Sequence, residues 1–197
     1  MAVDIAEVKR LKDLTGVGLT DAKKALEEAG DFDKALAAMR KKGLTKADKR
    51  GEKEAREGVI GTYNHDGRIG VLVEVNCETD FVARGDIFGA LVKDVAMHIA
   101  ASNPEYVSSE SIPAADHDKM KKEFNEKTKA EGKPADMVDK IVEGQLKKYF
   151  AERCLLDQPY VKNPDITVGD HVKQNAALMN ENVVVRRFNR IALGEVA

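Results

Sequence analysis

The sequence is poor in several residue types, and each shortage excludes a class of protein. Its 197 residues include no tryptophan and only two cysteines, and aromatic residues make up 5%. Cys77 and Cys154 lie far apart and neither belongs to a CxxC pair, which excludes a disulfide framework and a cysteine zinc site and favours a reducing compartment. With so few aromatic side chains, the core must be mainly aliphatic.

Charge of one sign and long apolar runs are missing too. The chain has 32 Lys and Arg against 34 Asp and Glu, a net charge of −2, which disfavours a global polycation that wraps nucleic acid. No apolar run approaches the ~20 residues of a membrane span, and the acidic N-terminal residues do not resemble a signal peptide. We therefore expect a cytoplasmic protein without membrane association.

What is present favours a folded, helix-rich protein, with 43% hydrophobic and 34% charged residues. The first forty residues predict three short helices. The glycine-containing segment 15–18 ends the first, and Thr20 is a candidate N-cap for the second. Gly30 ends the second helix, and Asp31 suits the N-cap of the third.

Residues 40–56 form a strongly charged stretch in which Lys and Arg are interspersed with Asp and Glu. No apolar face is continuous there, so we interpret it as a solvated helical linker. The alternative is a nucleic-acid-binding patch, but the stretch lacks aromatic residues for base stacking and its acidic residues weaken the field. Steeply salt-dependent RNA binding would favour that alternative.

The remaining chain predicts a small antiparallel sheet and further helices. Residues 59–63 and 69–75 are β-prone and flank an Asp66-Gly67 turn signal, and residues 183–188 supply a third strand. Pro104 stops an apolar helical stripe that begins at Ile87, and Gly132-Lys133-Pro134 separates two later helices. The second of these carries apolar residues at steps of four, namely Val138, Val142, Leu146, Phe150 and Cys154.

One segment recurs 54 residues later in the chain. Either a strand-to-helix unit is duplicated or the identities arose by chance. Tyr106-Val107, Ile112 and Asp116-His117 correspond to Tyr160-Val161, Ile166 and Asp170-His171.

Signatures of enzyme chemistry are scarce. The sequence contains no phosphate-binding loop, no dinucleotide fingerprint and no nucleophile elbow. A hydrolase that uses Asp116, His117 and Cys77 has no supporting spacing. Asp116-His117-Asp118 is better explained as a polar helix start than as a metal site. We expect neither enzymatic activity nor a cofactor or metal.

The most informative segment follows the second strand and spans residues 76–83, Asn-Cys-Glu-Thr-Asp-Phe-Val-Ala. Thr79 suits the N-cap of a short helix with Asp80 in its first turn. Phe81 either fills the core beneath the next helix or is displayed at the surface, and residue type alone favours burial.

Residues 76–84 resemble the signature of the bacterial elongation factor Ts family, and the resemblance extends over essentially the whole chain. It implies an α+β protein in which residues 1–43 form a three-helix, ubiquitin-associated-like domain. Residues 44–56 are then a charged linker, and residues 57–197 a core and dimerisation domain with a helical hairpin at about 116–156. Further similar segments are Val8 to Leu26, Arg56 to Gly61, Gly132 to Pro134, Val142 to Gly144 and Gln158-Pro159.

The resemblance implies a guanine-nucleotide exchange factor for elongation factor Tu, without covalent chemistry, cofactor or direct nucleic-acid binding. Thr79, Asp80, Phe81 and Val82 are the implied partner-binding element that disturbs the magnesium site of the partner. Phe81 would insert between helices of the partner with Asp80 beside it, and the N-terminal domain would dock on the partner's nucleotide-binding domain.

The chain is shorter than family members that have a duplicated core subdomain and a coiled-coil insertion. A homodimer would supply the second half of the core, and residues 183–188 are the candidate interface.

Overall fold

The computed structural model describes residues 4–131 and 135–195, and for residues 42, 44–50, 135 and 136 it describes the backbone only. The architecture is α+β, which confirms the expected fold class. None of the helices in these ranges is long and apolar enough to span a membrane. The helices are α1 (Ile5–Thr15), α2 (Leu19–Ala29), α3 (Phe32–Arg50), α4 (Asp80–Ala83), α5 (Asp86–Ser102), α6 (Ala114–Ala130), α7 (Ala135–Ala151) and α8 (Val168–Met179), and the strands are β1 (Glu57–His65), β2 (Ile69–Cys77), β3 (Pro159–Tyr160), β4 (Asn163–Thr167) and β5 (Val184–Ala192).

The first three helices pack on one another around a small aliphatic core. Gly30 ends α2 in the left-handed conformation, and Asp31 caps α3 through Lys34 N at 3.0 Å, as the sequence predicts. The prediction for Thr20 is wrong, because the N-cap of α2 is the extended Gly18, whose carbonyl accepts from Ala22 N at 2.9 Å. The buried side chains of this core are Val8, Leu11, Ala22, Leu26, Ala35 and Met39.

Helix α3 continues to Arg50 and so includes most of the charged stretch. Beyond the helix, two basic side chains of the charged stretch lie next to acidic ones. Lys53 Nζ is 3.5 Å from Glu78, and Arg56 Nε is 2.7 Å from Glu54. Acidic neighbours thus accompany these two basic residues, as the mixed composition of the stretch predicts.

The main sheet is antiparallel in the order β1-β2-β5. Asp66 and Gly67 in the β1–β2 connection both have positive φ, as the Asp-Gly turn signal predicts. The third strand is confirmed, but β5 extends to Ala192 because it follows β2 along its whole length. Gly61 allows close approach of α5, since a Cβ there would clash with Val92.

The main core lies between this sheet and helices α5 and α8. Val71, Val73 and Val75 alternate along β2 and point into it. Helix α8 also contacts the N-terminal helices. The approach is close at Gly16, where a Cβ would lie 3.0 Å from the Leu178 backbone. The N-terminal helices therefore pack against α8.

Helices α6 and α7 pack together as the expected hairpin and enclose a third apolar cluster. The predicted break at Gly132-Lys133-Pro134 lies outside the described residues. Cys154 is buried in this cluster, as predicted, but not on the helix: α7 ends at Ala151 and Cys154 forms a parallel bridge with Tyr106. Leu155 N donates to Tyr106 O at 2.8 Å, so the chain leaves the helix to pair with an extended segment.

The recurring segments correspond in where their helices begin, but not in the contacts of their tyrosines. Helices α6 and α8 begin at Ala114 and Val168, which are separated by the same 54 residues as the sequence identities. Tyr106 reaches forward to Asp116 at 3.1 Å, and the Tyr160 ring stacks on His171 at 4.3 Å. The shared helix start is consistent with a duplicated unit, whereas the two tyrosines make different contacts.

Candidate functional site

The segment singled out by the sequence forms a tight corner between β2 and α5. Strand β2 ends at Cys77, and Thr79 caps the single-turn helix α4 by accepting from Val82 N at 3.3 Å. The carbonyl of Thr79 also accepts from Ala83 N at 3.2 Å. The predicted cap is therefore present, and it fixes the first turn on which Asp80 and Phe81 lie.

Phe81 is displayed at the surface. Its side chain is 84% exposed, and no residue of α4 is buried. Burying a phenylalanine is worth about 1.5–3 kcal/mol, a gain that the isolated chain forgoes at this position. Of the two alternatives for Phe81, the structure therefore supports display and excludes burial in the chain's own core.

The neighbours of Phe81 point in different directions. Asp80 is exposed and pairs with Arg84 across one turn at 3.0 Å, whereas Val82 is half-buried against the main core. An exposed ion pair contributes little to stability, so the Asp80 carboxylate can exchange partners at low cost. The surface that α4 presents is consequently Phe81 flanked by one carboxylate.

A buried carboxylate from a distant part of the sequence, Glu181, holds this corner. Oε2 of Glu181 accepts from the backbone N–H groups of Glu78 and Thr79, both at 3.1 Å. Its Oε1 accepts from the Thr79 hydroxyl at 2.6 Å. Hydrogen bonds to an ionised acceptor are the stronger kind, so the Glu181 side chain is the main clamp on the turn before α4.

A second set of contacts ties the same corner to the end of the charged stretch. Asn182 N donates to Glu78 Oε1 at 2.6 Å, and Asn182 Nδ2 donates to the Lys53 carbonyl at 2.6 Å. Arg186 bridges Asn76 Oδ1 and the Ala55 carbonyl, each at 3.2 Å. The chain leading to the N-terminal helices thus meets the corner that carries Phe81.

Cys77 lies inside this corner and is fully buried. Burial raises the pKa of its thiol, and the nearby Glu181 charge raises the pKa further. Its Sγ donates to the Thr79 carbonyl at 3.2 Å. A protonated thiol with this contact is a packing group, since thiolates are the nucleophilic form.

The structure separates the residues of the weaker alternatives. Asp116 and His117 lie on α6, where Asp116 accepts from Tyr106 and the His117 ring stacks on Phe150, whereas Cys77 belongs to the main core. Within residues 4–131 and 135–195, no three side chains of the metal-ligating types converge. The spacing in the sequence did not support a hydrolase or a metal site, and the geometry of the described residues does not support either of them.

Sequence reasoning missed Glu181 and Asn182. They lie about a hundred residues from the segment they hold, between the left-handed Asn180 that ends α8 and the start of β5. A Glu-Asn pair after a helix is typical of an exposed loop, and no local pattern marks it as a buried clamp.

Comparison with known proteins agrees with the fold. The family model described as elongation factor TS matches residues 22–195. The chain is 49% identical over 197 aligned residues to elongation factor Ts of Geobacter sulfurreducens, covering 99% of this chain and 91% of that protein. It is 51% identical over 195 residues to elongation factor Ts of Heliobacterium modesticaldum, with coverage of 98% and 91%. The chain therefore belongs to the elongation factor Ts family.

Proposed function

We propose that this chain is a guanine-nucleotide exchange factor for elongation factor Tu, acting in the cytoplasm. Family membership supports a role in nucleotide exchange during translation elongation. In the proposed cycle the chain binds the GDP complex, promotes GDP release and leaves a complex that GTP can enter. The role requires no covalent bond to be made or broken, and no cofactor.

The observation that carries the proposal is the exposed Phe81 on a clamped helical turn. An aromatic side chain held out from a fixed backbone can insert between elements of a partner at little further entropic cost. We propose that Phe81 inserts between helices of elongation factor Tu, with Thr79, Asp80 and Val82 completing the contact. Val82 contributes from its half-buried position by supporting the turn.

The coupling to nucleotide release is thermodynamic. If the chain binds the nucleotide-free or distorted partner more tightly than the GDP complex, it must weaken GDP binding by the same factor. A shift of the partner's phosphate loop and loss of contacts to its magnesium ion would produce this effect, because that ion offsets the charge of the diphosphate. The Asp80 carboxylate, next to Phe81, is suited to disturb such a site electrostatically.

We further propose that residues 1–43 form a domain that docks on the nucleotide-binding domain of the partner, with residues 44–56 as the connecting segment. The contacts between Asn182 and the carbonyls of Gly51 and Lys53, at 3.3 and 2.6 Å, support a defined orientation of that segment. Residues 57–197 then form the core domain.

The test is the rate at which labelled GDP leaves elongation factor Tu. Addition of the chain should accelerate release in proportion to its concentration until the effect saturates. Release at the spontaneous rate over the whole concentration range would contradict the proposal. A separate titration of the chain with RNA at low and raised salt tests the nucleic-acid alternative, since RNA binding would weaken steeply as salt rises.

The outer face of the sheet suggests how a short member assembles. Val183 and Val185, from the segment expected at the interface, are buried in the chain's own core. The opposite face instead carries Ile60, Leu72 and Ile191, which are 65%, 53% and 71% exposed. Exposed apolar side chains clustered on one face mark an interaction surface, and two-fold symmetry would bring the same face of a second copy against it. We propose a homodimer through this face.

Light scattering tests the homodimer. The wild-type chain should have twice the monomer mass at micromolar concentration, and Leu72→Lys should shift it toward the monomer. Val161→Lys is the matched control, since Val161 is exposed elsewhere on the fold. A monomer mass that does not change on concentration would refute the dimer.

A further inference from the structure

The corner that carries Phe81 is held by a reciprocal pair of carboxylates. The side chain of Glu181 binds the backbone N–H groups of Glu78 and Thr79, and the side chain of Glu78 binds the backbone N–H of Asn182 at 2.6 Å. Each segment thus supplies both an anchored backbone and a carboxylate to the other. Such a pairing fixes relative position more tightly than one contact would.

The backbone of Glu181 is itself held by helix α8. Its backbone N–H donates to the Ala176 carbonyl at 3.2 Å, in the last turn of α8. Helix α8 is anchored in the main core by Val168, Val172 and Ala176, all buried. The Glu181 side chain is buried in turn, so its carboxylate is a rigid extension of the core rather than a mobile surface group.

A continuous chain of hydrogen bonds leads from this carboxylate to α4. The Thr79 hydroxyl donates to Glu181 Oε1 at 2.6 Å and accepts from Val82 N at 3.3 Å. The donated proton leaves the Thr79 lone pairs directed toward the helix N-terminus, so Glu181 selects the hydroxyl orientation that caps α4. Phe81 lies on the turn that this cap defines.

We propose that Glu181 is a positioning residue for nucleotide exchange, acting through Thr79 to hold Phe81 in the orientation that enters the partner. The inference rests on the proposed exchange function and extends it to a residue far from α4 in the sequence. Glu181 does not touch the partner in this scheme. Its effect is to remove the loop ordering that binding would otherwise have to supply.

The primary experiment measures GDP release from elongation factor Tu with full-length variants at saturating concentration. Glu181→Ala should slow maximal release roughly tenfold, because small displacements of a positioned group have effects of this order. Glu181→Gln should slow release less than Glu181→Ala does, since its amide oxygen can still accept from the two N–H groups although its NH2 cannot accept the Thr79 proton. Thr79→Val should slow maximal release as Glu181→Ala does, because it removes the hydroxyl that links Glu181 to α4.

A double-mutant cycle separates positioning from a general structural role. If Glu181 acts through Phe81, adding Glu181→Ala to Phe81→Ala should slow release by less than about twofold more. Full additivity of the two substitutions, or a Glu181→Ala variant as fast as wild type, would overturn the inference. If Glu181→Ala does not fold, Glu181→Asp, whose shorter side chain cannot reach all three donors, replaces it in the same cycle under the same criteria.

A readout without the partner makes the two failures distinguishable. In the free protein, Glu181→Ala should speed hydrogen exchange of the Glu78 and Thr79 amides by roughly tenfold or more, and Glu181→Gln should restore protection. Unchanged protection would overturn the clamp itself. If the wild-type chain fails to accelerate GDP release while this protection is lost as expected, the proposed function falls, and with it the role of the clamp in exchange.

Discussion

Helices α4 and α5 follow each other in the chain and are built in opposite ways. Phe81 on α4 is 84% exposed, whereas Phe88 on α5, seven residues later, is fully buried. Helix α4 is one turn without a buried residue, and polar contacts from Glu181 and Thr79 hold it in place. Helix α5 has 17 residues, and apolar packing against the sheet and α8 holds it in place.

Within one short stretch, one phenylalanine is exposed at the surface and another contributes to the folded core. A turn fixed by hydrogen bonds can present an aromatic residue without using it for stability, since the clamp and not the ring fixes the backbone. A helix fixed by packing cannot expose its aromatic residue in this way, because the neighbouring side chains pack against that residue and its removal would leave a cavity. Substitutions on the two helices should therefore damage different properties.

The largest expected effect is that of Phe88→Ala. Removal of a fully buried phenylalanine should lower the free energy of unfolding by about 3–5 kcal/mol, through lost burial and the cavity left behind. Urea denaturation followed by circular dichroism measures it. A loss below about 1 kcal/mol, typical of surface positions, would mean that the packing around Phe88 is not as described.

A smaller loss of stability should follow acidification, through His98 on α5. His98 on α5 is fully buried, with Nε2 on Gln158 Oε1 at 2.9 Å and Nδ1 accepting from Val161 N at 3.2 Å. Gln158 Nε2 donates to Glu152 O, so its Oε1 is the acceptor and the His98 ring is neutral with its proton on Nε2. Burial lowers the pKa of His98, against an opposing effect of the Gln158 hydrogen bond.

The unfolded chain therefore takes up a proton on His98 at about pH 6.5, above the pH at which the folded chain does. The stability from this residue should be fully present above pH 7 and decline as the pH falls below 6.5. Urea denaturation at pH 7.5 and 5.5 measures the decline, and His98→Gln should reduce it. Equal stability of the wild-type chain at both pH values would argue against a neutral, buried His98.

Much of the fold could be predicted because its determinants are local. The Asp66-Gly67 turn, the Asp31 cap and the Thr79 cap each depend on residues within a few positions. The predicted continuation of a helix to Cys154 failed for a nonlocal reason, since pairing with Tyr106 draws the chain out of the helix. Cys154 continues the spacing of four residues in the sequence, although α7 has already ended at Ala151.

The candidate site was only half predictable for the same reason. The resemblance pointed to residues 79–82, and residue type alone favoured a buried Phe81. The turn that precedes Phe81 is held by hydrogen bonds to Glu181, which is distant in the chain. No periodicity encodes that contact, because it joins two loops whose proximity is a property of the folded sheet.

The smallest effect on stability, and the most direct test of the central claim, is that of Phe81→Ala. The substitution should change the free energy of unfolding by no more than about 0.5 kcal/mol, because the ring has few contacts to lose. Val161→Ala, at another exposed apolar position, is the matched control and should behave alike in stability.

The decisive measurement pairs a thermal melt of Phe81→Ala with the rate of GDP release from elongation factor Tu at saturating concentration of the variant. We expect a melting temperature close to that of wild type and a marked slowing of release, since a buried interface aromatic can carry several kcal/mol of binding energy. Val161→Ala should release GDP at the wild-type rate. A large drop in the melting temperature of Phe81→Ala, with release still at the wild-type rate, would contradict the account.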